Sequence, residues 1–232
     1  MRLAVMQPYF LPYIGYYQLM AAVDKFVIFD DVNFMNRGWI NRNRILVNGK
    51  ESMMTVPLTR ASQNQKISEI DIAHDHPWQR KLLRTIEQSY KRTPHFEEVF
   101  PLVSSIINAP ATNLAAFVTQ SLMSVKEWLG IECEMVKTSS TYANTQIKGE
   151  ARILDICRQE GATHYVNLPG GKDLYHKATF AAQGITLRFI HPLPVAYPQK
   201  APAFVPWLSA LDVMMCNGRL PTSAMLNAVE LQ

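Results

Sequence analysis

The sequence has little cysteine, little net charge and no long hydrophobic run, and each shortage removes a class of protein. Its three cysteines, Cys133, Cys157 and Cys216, are odd in number and far apart. Neither a disulfide framework nor a Cys-x-x-Cys zinc or redox motif is available, and reduced, buried thiols are expected. No stretch reaches the roughly 18 continuous apolar residues that a spanning helix needs, so no membrane insertion is expected. The start, MRLAVMQPYFLPYIGYY, is basic and then apolar. Gln7, Pro8 and Pro12 interrupt the run and no small-residue cleavage site follows, which argues for a cytoplasmic protein. Net charge is +4, from 23 basic and 19 acidic residues spread along the chain, which is weak support for a dedicated nucleic-acid binder. His74 and His76 stand two apart in a polar loop without a Cys or acidic partner, so they read as surface and no metal site is expected. A Ser-His-Asp order with supporting loops, a nucleophile elbow, an internal repeat and a low-complexity tract are all missing.

What is present suits one large α/β domain spanning 1–232. The chain is 48% hydrophobic over 232 residues, enough for an ordinary core. Residues 3–6 read as a buried strand. Two prolines then exclude helix until about Pro12, so a helix is expected over 13–22. KFVIF at 25–29 gives a second buried strand and a β-α-β start, which favours a parallel sheet. Asn48-Gly49 between two apolar runs marks a hairpin within an insertion over 33–60. A helical segment over 77–129 carries three patterns, at 78–90, 96–107 and 113–129, with Asn113 as a candidate cap. Strands at 131–136, 163–167 and 185–190 alternate with helices at 149–160 and 172–182. The fold class is therefore α/β, a Rossmann-like parallel sheet of about five strands with a β-hairpin insertion and an additional helical segment. A helix over 208–216 follows, and the last residues look frayed.

The polar segment FDDVNFMNRGWINRNRIL at 29–46 holds Asp30, Asp31, Asn33, Arg37, Trp39, Asn41, Arg42, Asn43 and Arg44. Guanidinium forks match phosphate or carboxylate, amides serve hydroxyls and an indole offers a flat face to a ring. Ion pairing within a polar hairpin is the plainer explanation. Ligands in parallel sheets sit in the loops at the carboxyl ends of strands. Four unusual loops fall there: 7–15 with Gln7, Tyr9, Tyr13 and Gly15; 30–39; 137–145 with Ser139 and Ser140; and 167–175 with Asn167, Gly170, Gly171, Lys172 and Tyr175. The last reads strand, glycine pair, lysine, helix start, an arrangement that suits an anion, although it lacks the spacing of a phosphate-binding loop.

Taken together, MQPYFLPYIGYYQL, VDKFVIFDDVNF, RGWINRNRIL, GGKDLY and FVPWLSALDVM resemble the WbqC-like protein family over nearly the whole chain. One departure is Trp207, where a polar residue such as Asn is expected. The resemblance implies a place in O-antigen and related surface-polysaccharide (lipopolysaccharide) synthesis, with glycyl or other acyl transfer onto an amino sugar. The opening β-α-β also resembles the nucleotidyltransferase and ligase superfamily that adenylates acids, without its histidine motif. Under that resemblance ATP or another nucleotide with Mg is the candidate cofactor.

The expected function is thus aminoacyl or acyl transfer to the amine of a nucleotide-linked amino sugar. Asp30 or Asp31 would take the amine's proton, Arg37, Arg42, Arg44 and Lys172 would hold phosphates, Trp39 or Tyr9 would stack, and Asn41 and Asn43 would read hydroxyls. The rivals are a non-catalytic sugar-nucleotide or saccharide binder, an ATP-dependent ligase, and an enzyme that takes aminoacyl-tRNA as donor.

Overall fold

The computed structural model describes residues 1–75 and 77–232, so His76 and its expected surface position lie outside the described residues. In chain order, β1 (Arg2–Met6) leads through a proline-bearing loop to α1 (Ile14–Ala22) and β2 (Lys25–Ile28). A hairpin of β3 (Arg42–Val47) and β4 (Lys50–Thr55) follows, then a two-residue pair, β5 (Leu58–Thr59) with β6 (Asp71–Ile72). The helices α2 (Trp78–Tyr90), α3 (Phe96–Ile107) and α4 (Leu114–Leu129) precede β7 (Glu134–Val136), α5 (Gly149–Gln159), β8 (His164–Asn167), α6 (Lys177–Ala181) and β9 (Thr186–Pro192). The chain closes with α7 (Ala210–Asn217), α8 (Arg219–Ala224) and β10 (Val229–Leu231).

The central sheet runs β10-β9-β8-β1-β2-β7, parallel throughout except for β10. Its strands are short apolar runs because both faces are covered. Leu3 and Val5 of β1 pack with Tyr165, Leu187 and Phe189 against α5 and α6. Ala4, between them, faces the larger cluster with α1, the hairpin and α2 to α4. Along α2 the buried residues Trp78, Leu82, Ile86 and Tyr90 recur every fourth position, one stripe of an amphipathic helix. At the end of that stripe the Tyr90 hydroxyl accepts a bond from Leu46 N of the hairpin at 3.0 Å and donates to Asp212 at 2.7 Å. Packing of the helix thereby fixes the hairpin.

Strand order decides where a ligand has room. After β1 the chain builds outward through β2 to β7, then returns to the other side of β1 for β8 and β9. Loops leaving β1 and β8 diverge at that reversal, and a crevice opens at the carboxyl edge.

Several expectations hold in detail. Asn48 and Gly49 have φ of 52° and 73°, the two positive values that a two-residue hairpin turn requires. Asn113 caps α4 by accepting from Ala116 N at 3.1 Å. Others need correction. The helix expected over 172–182 is a tight 3-10 turn at Pro169–Leu174 followed by the five-residue α6, because a leading proline and two glycines favour the tighter turn. The strand expected at 131–136 is confined to β7. Residues expected to fray instead form β10, which covers the open edge of β9 through paired 2.9 Å bonds between Phe189 and Gln232. The sheet therefore has six strands. Cys133 and Cys157 are buried free thiols and Cys216 is half-buried. Among the described residues no helix is long and apolar enough to cross a membrane.

Candidate functional site

A cavity of about 490 Å³ occupies the crevice. Its floor comes from the loop after β1, with Tyr9, Pro12 and Tyr13, and from Pro169 and Gly170 after β8. The hairpin contributes Trp39, Asn43 and Arg44, while His191 and Pro192 end β9 and Trp207 comes from the long segment before α7. Hydrogen bonds knit these pieces together. Asn43, buried, donates to Leu11 O at 3.0 Å and Phe10 O at 3.3 Å, and Phe10 N donates to Ile40 O at 3.0 Å. Ser209 donates through its hydroxyl to Leu11 O at 2.6 Å and through its amide to Arg44 O at 2.9 Å.

Two polar atoms on this lining are left over. Arg44 Nε and His191 Nε2 are buried and find no hydrogen-bond partner among the described residues. Buried donors and acceptors are nearly always paired, so an orphan calls for an explanation such as a ligand. Arg44 is otherwise held on three sides: by Glu51 at 2.6 Å, by Trp207 O at 3.4 Å, and by the Trp39 ring, 5.6 Å from its guanidinium carbon. Burial raises the Tyr9 phenol above its ordinary range, and burial together with Tyr9 pushes Tyr13 up to about 12. Both hydroxyls therefore stay protonated at neutral pH and serve as donors.

Trp39 and Trp207 remain 40% and 43% exposed, an arrangement that leaves two indoles at the mouth. Trp207 has φ of 61°, a left-handed conformation that a bulky side chain rarely adopts and Asn tolerates far better. The expected Asn at this position thus has a backbone reason, and the strain is held by the neighbouring network. Gln199 grips Val205 from both sides, at 2.7 and 3.0 Å, and with Tyr197 bonds the buried Asp212 at 3.2 and 2.8 Å.

Gly15 acts through space rather than through donors. A Cβ there would stand 2.2 Å from the Tyr13 ring and 2.7 Å from Pro192. Ala is the better helix former by about 1 kcal/mol, but overpacking costs about 1–3 kcal/mol, so the clash wins. Gly15→Ala is expected to lower the unfolding free energy and to shift both walls of the cavity; urea unfolding that shows equal or greater stability would contradict this.

Other expected site residues lie elsewhere. Asp30 accepts from Thr138 Oγ1 at 2.9 Å and Ser139 N at 3.0 Å. Asp31 accepts from the Ser139 hydroxyl and pairs with Arg152 at 2.5 Å. Both carboxylates are buried, and neither lines the cavity, so the proton-accepting role is not placed on them. Ser140 is exposed beside Thr138. Arg42 is turned onto the carbonyls of Gly38 and Arg37, and Arg37 and Asn33 are exposed. Asn41 ties the hairpin base to Val56 O at 2.9 Å. Gln7 offers its carbonyl to the Tyr16 hydroxyl at 2.8 Å. Asn167 bonds Tyr165 and Leu168 N, Gly171 gives the room for Asn167 that a Cβ at 2.8 Å would take, and Tyr175 packs edge-on against Tyr165. Lys172 binds Gln232 at 3.0 Å over the Phe189 ring. A single cleft uniting Arg42, Asp31 and Lys172 is therefore corrected. The physical reason is strand order: β1 and β8 are neighbours and share the cavity, whereas β2 and β7 are neighbours and their loops meet each other.

His191 and Pro192 escaped the sequence reading, and Pro12, Pro169 and Trp207, although in stretches that it marked, were not named there as site residues. The signal for His191 was available, since FIHP ends a fifth strand and its exit faces the same edge as the other loops.

The chain matches the WbqC-like protein family over residues 7–223, and it belongs to that family. It is also 30% identical to the uncharacterized protein Rv1507c of Mycobacterium tuberculosis over 220 residues, which cover 94% of each chain. No solved structure matches it.

Proposed function

We propose that this protein is an enzyme of surface-polysaccharide synthesis that binds a nucleotide-linked amino sugar in the cavity and transfers an acyl or aminoacyl group to its amine. The observation that carries this reading is Arg44, whose buried Nε has no partner among the described residues and whose cavity, at the sheet's point of reversal, is lined by two indoles. A guanidinium there answers a phosphate, Trp39 and Trp207 offer faces to a base and a sugar ring, and the Tyr9 and Tyr13 phenols donate to hydroxyls. The parallel strand order β9-β8-β1-β2-β7 supports reading the sheet as Rossmann-like, a class in which nucleotides bind at such a crevice. On this reading the hairpin segment 33–60 is an insertion that roofs the crevice, and the helices of 77–129 support it within one domain. Membership of the WbqC-like family, for which the resemblance implies a place in surface-polysaccharide synthesis, supports this choice of pathway.

The test is a thermal-shift titration with nucleoside diphosphates and nucleotide-linked amino sugars, followed by mass analysis of reactions supplied with acyl donors. Arg44→Ala is expected to weaken binding about 10- to 100-fold, the worth of a bond to a charged group. Sugar-nucleotide affinity that is unchanged by Arg44→Ala would remove this site from consideration.

A further inference from the structure

Resting on that reading, we propose that His191 is the catalytic base, with Nε2 taking the proton from the ammonium of the acceptor sugar. His191 is the titratable side chain on the cavity lining that is neither a phenol nor a permanent cation, and its Nε2 is buried with no partner among the described residues. A neutral imidazole carries its lone pair on one of its two ring nitrogens, and no hydrogen bond among the described residues engages Nε2. Position reinforces this. The ring stands at the carboxyl end of β9 beside Pro192, which closes on Gly15 and Tyr13, and shares the cavity with Arg44. A phosphate on Arg44 and an amine at His191 would be the diphosphate and the adjoining sugar of one bound sugar nucleotide.

The charged and titratable groups around the imidazole fit the role. Arg44, Tyr9 and Tyr13 line the same space. Glu230 lies directly across the β9–β10 pair, so its side chain shares the face of His191. Lys172 rests over Phe189, two residues earlier on that face.

The step balances as follows. The neutral imidazole removes one proton from the ammonium and frees its lone pair. The amine nitrogen adds to the carbonyl carbon of an activated acyl ester or thioester, and a C–N bond forms. The bond from that carbon to the donor's leaving group breaks, and the leaving group departs with the second amine proton. The imidazolium returns its proton to water, and the third hydrogen stays on the amide.

The experiment compares the full-length wild type with His191→Gln and His191→Ala, using a uridine-diphosphate-linked amino sugar and acyl thioesters. Both variants are expected to keep the thermal shift given by uridine diphosphate and a KM close to that of the wild type. kcat is expected to fall about 100-fold or more, the usual worth of a general base, and added imidazole is expected to restore turnover to His191→Ala. A purely structural histidine would give neither the split between kcat and KM nor the rescue. Wild-type turnover that persists in both variants overturns the assignment and leaves the proposed reaction standing; absence of turnover in the wild type with any acyl donor overturns both.

Discussion

Arg152→Ala lowers the unfolding free energy by about 3–5 kcal/mol, and Asp31→Ala lowers it by a similar amount. The two side chains are 5% and 3% exposed and meet at 2.5 Å. Arg152 Nε donates to Asn144 Oδ1 at 2.8 Å, the Phe29 ring lies 4.9 Å from the guanidinium carbon, and Ser139 donates to Asp31. Removing one partner strands the other charge in an apolar core, which costs far more than the pair contributes. The double replacement Asp31→Leu with Arg152→Met therefore recovers most of the loss, since it leaves no charge behind. Chemical denaturation checks this, and single variants within about 1 kcal/mol of the wild type would refute a structural role. Asp31→Asn should also leave affinity at the cavity unchanged, which separates stability from chemistry at the residue that the sequence marked as catalytic.

Raising the pH beyond the ordinary tyrosine range, about 10, unfolds the protein cooperatively. Burial raises the pKa of each of the nine tyrosines. Tyr16, Tyr17 and Tyr165 are wholly enclosed, and Asp212 adds to the burial at Tyr90 and Tyr197. The sign follows from proton counts. Above the unfolded pKa the native chain holds more protons than the unfolded one, so stability is fully present below it and is lost as pH rises through the folded values. For Tyr13 that window runs from 10.0 to about 12. Tyrosinate absorbance should appear together with the loss of circular dichroism. A smooth titration at the ordinary pKa with structure retained would show that these rings are not held as described.

How much could be read beforehand differs between fold and site. Apolar runs, Pro12, Asn48-Gly49 and Asn113 each act within a few residues, so the strands, the first helix, the hairpin turn and the α4 cap were legible. The edge strand β10 was not, because Val229 and Leu231 gain from a strand only once β9 presents an unpaired edge. Pro169 and the glycine pair looked like the opening of a helix, but they make a tight turn, and Lys172 swings to Gln232 rather than to a ligand.

Local chemistry thus determined, from the sequence by itself, an α/β chain whose carboxyl-edge loops are rich in aromatic, amide and guanidinium groups, and it marked six of the cavity residues: Tyr9, Tyr13, Trp39, Asn43, Arg44 and Gly170. Only the tertiary structure decided which loops meet. Chain order lists β1, β2, β7, β8 and β9, while space places β8 beside β1 and β7 beside β2. That adjacency sends Asp31 to Arg152 and opens the cavity to His191, because pairing between distant strands is governed by packing on both faces of the sheet and leaves no mark in any short stretch of residues.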